Sequence, residues 1–314
     1  MKTGVLVMMP VARIYFVAGE DGGVGKSTYC SVLAEYLLSK ELKFILVDAD
    51  RTKQDVTEKY QKKIECLTSF FSESNKLETE ANIIYDLAVE EEYNVLVNLP
   101  AQVHHLLAHW IKENNILDLA ESDRIEICYF HLSNGKIENL KSFDLALELF
   151  GERTRFFFVK NLHHCEDWEC LNQKHLLDKL STLAVKIIKL PRLQSKFKEA
   201  IDSNKLTWLD AQSHDDSQIG FRKVARNNVK LFLREIYEQL DTLSITQCQT
   251  PENNSIASKT PTPTPTDSNN STASKTPTPT LTDSNNSTVA TTLKPKPTQL
   301  LQQKPIPLAN KKEV

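Results

Sequence analysis

Four of the eight glycines in the chain fall within one stretch, Gly19-Glu20-Asp21-Gly22-Gly23-Val24-Gly25-Lys26-Ser27-Thr28. Glycines let successive backbone N–H groups turn inward around an anion, and a helix starting directly behind them adds the positive end of its dipole. Lys26 would then set a cation against the β- and γ-phosphates of a nucleotide, and the Ser27 hydroxyl would offer a hard oxygen to Mg²⁺. Gly22, Gly23, Val24, Gly25, Lys26, Ser27 and Thr28 are therefore the candidate phosphate-binding residues. The generic phosphate-loop pattern G-x-x-x-x-G-K-[ST] is not met, because Glu20 stands where its first glycine belongs. A second candidate is the pair Asp48 and Asp50, directly after the apolar run 44–47. Phosphoryl transfer needs one carboxylate near the metal and another near the nucleophile, although loop carboxylates at a strand end are common by themselves.

Positioning these groups requires a strand before the glycines and a helix after them. Residues 14–18 form a short apolar run, and 26–39 carry apolar side chains at helical spacing. The same alternation continues along the chain. Runs 44–47, 94–97, 125–130, 155–159 and 185–189 read as strands, and 137–150, 168–180, 194–203 and 218–240 as helices. Strands this continuously apolar are covered by helices on both faces, which predicts an α/β fold with a doubly wound, mostly parallel sheet.

The 314 residues are 40% apolar and 25% charged, but their distribution is uneven. All 24 aromatic residues precede position 241, and ten of the 13 prolines follow it. Residues 258–263 (Ser-Lys-Thr-Pro-Thr-Pro) recur at 274–279, a 16-residue period too short for a repeat unit with its own core. Expected organisation is a flexible leader over residues 1–12, a nucleotide-binding domain over 13–240, and a disordered Thr/Pro/Ser/Asn-rich tail over 241–314. Net charge is −3, with −5 on residues 1–240, so no global field favours nucleic acid or a membrane surface. Six cysteines without framework spacing fit reduced thiols in the cytoplasm, and every uncharged apolar run is far shorter than the ~18 residues of a membrane span.

The loop Gly22-Gly23-Val24-Gly25-Lys26-Ser27-Thr28 resembles the deviant phosphate loop of the ParA/MinD superfamily of P-loop ATPases, and the likeness extends over most of residues 13–240. The resemblance implies a P-loop NTPase fold, ATP and Mg²⁺ as cofactors, and a nucleotide-dependent homodimer. By the same resemblance Asp48 would belong to the Mg²⁺ shell and Asp50 would orient the attacking water. Lys26 and Asp50 would then be the catalytic pair. Val95-Leu96-Val97-Asn98-Leu99-Pro100-Ala101 resembles the family's strand ending in Asp-x-Pro, with the neutral Asn98 in place of the metal-side Asp. Asp21 replaces the signature lysine that reaches a partner's phosphates in that family, and a carboxylate there, like Glu20 beside it, is repulsive toward phosphate. Phe156-Phe157-Phe158-Val159-Lys160-Asn161 resembles the strand that ends in an adenine-reading Asn, which makes Asn161 the base candidate. Ile187-Ile188-Lys189-Leu190-Pro191-Arg192 resembles the proline-bearing strand that closes the pocket through Pro191.

Leu107-Ala108-His109-Trp110-Ile111-Lys112-Glu113-Asn114-Asn115-Ile116-Leu117-Asp118-Leu119 resembles TraL-like proteins of conjugation and plasmid mobilisation. That branch implies nucleotide-controlled association with a protein partner, a relaxase or another conjugation component. A core-packed amphipathic helix through Leu107, Trp110, Ile111 and Leu117 explains the same residues. Two alternatives stay open: a non-hydrolysing nucleotide-binding scaffold, following Asp21 and Asn98, and a DNA-loading partition ATPase using Arg222, Lys223, Arg226 and Lys230, which share a helix face. The tail lacks the basic amphipathic helix of membrane-cycling relatives, so no membrane partner is expected. His163, His164, Cys165, Cys170 and His175 lack the paired short spacings of a zinc site and read as a loop and helix start.

Overall fold

Every residue of the first strand is buried, as an apolar run covered on both faces requires. The computed structural model describes residues 9–72, 79–90, 93–213 and 222–247. Seven strands alternate with helices in the order β1 (Ala12–Ala18), α1 (Lys26–Ser39), β2 (Phe44–Asp48), α2 (Asp55–Tyr60), β3 (Cys66–Thr68), α3 (Asn82–Glu90), β4 (Asn94–Asn98) and α4 (His104–Glu113). There follow α5 (Ile116–Ser122), β5 (Ile125–Ser133), α6 (Ile137–Phe150), β6 (Arg155–Asn161), α7 (Lys174–Thr182), β7 (Lys186–Leu190), α8 (Ser195–Ser203), α9 (Trp208–Ser213) and α10 (Lys223–Asp241).

The strands form one sheet in the order β3-β2-β4-β1-β5-β6-β7, with every pairing parallel. Side-chain alternation sorts the core into two layers. Tyr15, Val17, Leu46, Leu96, Phe130 and Val159 meet α1, α8, α9 and α10 on one face. Ile14, Phe16, Val47, Val97, Tyr129 and Phe158 meet α3 to α7 on the other. The doubly wound parallel α/β architecture is thus as expected. From β1 the chain builds β2 to β4 on one side and β5 to β7 on the other, so the connections diverge at the carboxyl ends of the central strands. In open α/β sheets that divergence leaves a ligand crevice.

Several elements depart from the sequence expectations. β3 is a three-residue edge strand, and α2, α3, α5 and α9 are short, so none carries enough periodicity to stand out. The helix expected over 168–180 is a 3₁₀ turn, Glu169–Asn172, followed by α7. Residues 107–119 form two helices rather than one, divided where Asn115 takes a left-handed conformation with φ 49°. Leu107, Trp110, Ile111 and Leu117 are all buried there, as the packing explanation of that segment requires.

The expected domain end at residue 240 is too early. Leu243 and Ile245 are buried, and the Tyr15 hydroxyl donates a 2.6 Å hydrogen bond to the Ile245 carbonyl. The helix expected from 218 begins at Lys223 among the described residues, and 218–221 lie outside them. The leader apart from residues 9–12, and the tail from residue 248 onward, also lie outside the described residues. Among the described residues no helix is long and apolar enough to cross a membrane. Cys30, Cys66, Cys128, Cys165 and Cys170 are free thiols.

Candidate nucleotide site

The loop after β1 enters α1 through two glycines whose backbone requires them: Gly23 has φ +75° and Gly25 has φ +105°. A Cβ at Gly25 would also lie 2.7 Å from Nδ2 of Asn161, so β6 approaches the loop too closely for any side chain there. Gly22, Gly23, Gly25, Lys26, Ser27 and Thr28 line a cleft of about 240 Å³ at the carboxyl edge of the sheet. The seventh candidate, Val24, is buried, contributes only backbone, and packs its side chain beneath Gly19. The cleft's lining also includes the apolar side chains Leu190, Pro191, Leu193, Trp208 and Phe232. Phosphate-binding chemistry and apolar lining in one cleft suit a nucleotide.

Lys26 is only 7% exposed, and its ammonium donates a 3.0 Å hydrogen bond to the Asp21 carbonyl. Burial pulls its pKa down, opposed by the negative charges of Asp50, Glu20 and Asp21. Asp50 lines the cleft, and its Oδ1 accepts from the Thr52 N–H at 3.0 Å, the Thr52 hydroxyl at 2.6 Å and the Lys53 N–H at 3.3 Å. These bonds anchor the loop after β2 and leave Oδ2 as the oxygen free of them.

Asp48 and Asn98 are partners in the β2–β4 register, so both project from the α1 face at the strand ends. Asp48 is 0% exposed, and its Oδ1 accepts a 2.9 Å hydrogen bond from the Asn98 amide. Burial pushes the Asp48 carboxyl up, while the Asn98 hydrogen bond works against that shift. Asn98 Oδ1 is buried without a partner. Ser27 lines the cleft, while Asp48 and Asn98 lie buried at the strand ends outside its lining; the carboxylate, the orphaned amide oxygen and the hydroxyl are each the hard oxygen type that Mg²⁺ or a water bound to it takes.

Asp21 and Glu20 keep their charges near the loop, and both act on Lys26, but their side chains are turned to other partners. Asp21 Oδ2 accepts a 2.6 Å hydrogen bond from Asn134, directly after β5, and neither carboxylate lines the cleft. Glu20 instead lines a separate cavity of about 10 Å³ with His104 and His131, where burial raises its pKa.

Asn161 lines the cleft, but both ends of its amide bind protein: Nδ2 donates to the Val24 carbonyl at 2.8 Å and Oδ1 accepts from the His163 N–H at 3.0 Å. Further residues at the cleft went unassigned to it from sequence: Lys53, His163, His164, Lys198, Trp208 and Phe232. The His163-His164 doublet two residues beyond Asn161 was the available signal, whereas α9 and α10 reach the cleft only through tertiary packing. None of Arg222, Lys223, Arg226 and Lys230 lines this cleft; the last three border a groove of about 530 Å³ with Gln212, Val224 and Asn227.

A comparison with curated proteins gives no match. Among solved structures, the chain is similar to the cell-division ATPase MinD of Pyrococcus furiosus at 14% identity, covering 74% of this chain and 100% of that one, with a TM-score of 0.46. It is similar to the cell-division protein MinD of Aquifex aeolicus at 15% identity, with 76% and 100% covered and a TM-score of 0.42. A nucleotide-binding protein of Archaeoglobus fulgidus in complex with ADP matches at 14% identity, with 67% and 92% covered and a TM-score of 0.37. The family model described as the CobQ/CobB/MinD/ParA nucleotide binding domain matches residues 15–245, a span that ends at the buried Ile245, and the chain belongs to that family.

Proposed function

We propose that the cleft binds Mg·ATP and hydrolyses it slowly, and that the nucleotide state controls association with a protein partner in plasmid mobilisation or related DNA handling. The observation that carries the nucleotide part is the convergence of Lys26, Ser27 and Asp50 on one cleft, with the Asp48–Asn98 pair at the adjoining strand ends. Lys26 would stabilise charge on the transferred phosphoryl group, and the free oxygen of Asp50 would orient the attacking water. Ser27, Asp48 and Asn98 would hold Mg²⁺, the last two partly through water. A bound Mg²⁺ supplies neutralisation of phosphate charge. Slow turnover follows from the neutral Asn98, which adds no charge to that shell, and from the engagement of Asp50 Oδ1 by its own loop. The mobilisation branch rests on the TraL-like resemblance of residues 107–119, and it implies a relaxase or conjugation component as partner and a nucleotide-dependent homodimer.

The test is phosphate release from Mg·ATP by the full chain, beside Lys26→Ala and Asp50→Ala, with ATP binding measured in the same samples. Turnover by the wild type that both variants lose is the expected result. Binding without turnover would select the scaffold reading, which the neutrality of Asn98 also favours. No binding by the wild type would end both.

A further inference from the structure

Two consecutive carbonyls of the phosphate loop are held from outside it. The Gly23 carbonyl lies 3.1 Å from Nε2 of His164, and the Val24 carbonyl accepts the 2.8 Å hydrogen bond from Asn161. A carbonyl oxygen can only accept, so His164 must carry its proton on Nε2 to make this bond. Peptide units are planar and trans, so the N–H across each unit points opposite to its carbonyl. Drawing the Gly23 and Val24 carbonyls toward the segment after β6 therefore turns the N–H groups of Val24 and Gly25 the other way. Those are the donors that a glycine-rich loop presents to phosphate.

We propose that His164 is a positioning residue for the phosphate loop: with Asn161, it orients the loop's amides for nucleotide phosphate through the Gly23 carbonyl. This inference rests on the nucleotide-binding reading of the cleft. His164 is exposed, and its ring also lines the cleft beside His163. Asn161 could not do this alone. It fixes the Val24 carbonyl, but Gly23 has φ +75° and no Cβ, so its peptide unit needs a tether of its own.

The experiment is equilibrium binding of Mg·ATP to the full chain in wild type, His164→Ala and His164→Gln, with thermal melting in the absence of nucleotide. A glutamine amide reaches about as far as Nε2 and can donate to the same carbonyl. His164→Ala should weaken ATP binding about threefold to tenfold, the loss of one hydrogen bond, with melting unchanged because the side chain is exposed. His164→Gln should restore most of the affinity. Unchanged affinity in His164→Ala, while the wild type binds, overturns the positioning role and leaves the nucleotide reading standing. Equal weakening in both variants overturns it too, because the donated hydrogen bond would not be what matters. No ATP binding by the wild type removes the nucleotide reading and this inference with it.

Discussion

The close approach of Gly25 to Asn161 predicts energetic coupling that a double-mutant cycle can read. Gly25→Ala puts a Cβ 2.7 Å from Asn161 Nδ2, at a backbone φ of +105°. The left-handed conformation alone costs about 1–2 kcal/mol for a residue with a Cβ. The collision adds to this, because the Asn161 amide cannot swing aside without breaking its bonds to the Val24 carbonyl and the His163 N–H. Two hydrogen bonds at about 1 kcal/mol each bring the total to about 3–4 kcal/mol. Asn161→Ala removes the same two bonds and leaves the Val24 carbonyl unpaired, a loss of about 2–3 kcal/mol. In the double variant the collision is gone, and only the backbone strain adds to the lost bonds. The combined loss should therefore fall short of the sum of the singles by about 2 kcal/mol. Urea unfolding of the full chain, followed by fluorescence of Trp110, Trp168 and Trp208, measures all four corners. Additivity to within about 0.5 kcal/mol would show that the side chain and the loop do not meet as described, and the account of Gly25 would fall.

Two further predictions concern the frame around the loop. His131 is 1% exposed, and burial pushes its pKa down to about 4, with His104 and Lys26 adding to the shift and the Asn139 hydrogen bonds opposing it. The unfolded chain, titrating near 6.5, binds more protons than the fold between those values. Stability should therefore fall as pH drops through about 6.5 toward 4, by about 3 kcal/mol in all from this residue; denaturant titrations across that range should show a shallower loss for His131→Phe, and parallel curves would contradict it. Ending the chain after Leu240 removes buried Leu243 and Ile245 and the Tyr15 hydrogen bond, so it should cost about 3–6 kcal/mol against ending it after Gln247; equal unfolding midpoints for the two truncations would refute the packing.

What could be read in the sequence was what is local in the chain. The phosphate loop is contiguous, and the strands that position it are unbroken apolar runs, so β1, β2, β4, β5 and β6 and the helices α1 and α6 stand close to where periodicity placed them. Of the cleft's apolar lining, Pro191 was legible and Trp208 and Phe232 were not, for the opposite reason. The Trp208 and Phe232 rings meet at 5.1 Å, tilted by 32°, from two helices separated in sequence, and nothing in either segment marks it as cleft-facing. β3 escaped because three residues at a sheet edge, none of them fully buried, carry no pattern.

Charge and hydrogen bonding were legible by residue type but not by partner. Asp21 reads as repulsive to phosphate by residue type; its charge does reach Lys26, but which way its carboxylate turns is set by Asn134, 113 positions away. Asn161 reads as a base-recognition amide by position, and the fold takes one of its two N–H donors for Val24 and one lone pair of its oxygen for His163, which leaves one of each. Spacing can bring a polar side chain to a site, but its remaining hydrogen-bonding capacity depends on partners that only the tertiary structure supplies. Gly25 shows both limits in one residue. Its place before Lys26 explains a backbone that turns around an anion, and would hold for any such loop. Its second constraint, the amide 2.7 Å from where a Cβ would stand, comes from β6 and has no trace in the local sequence. A loop grafted without Asn161 and His164 would therefore keep its glycines and its lysine but lose what fixes the direction of the Val24 and Gly25 amides.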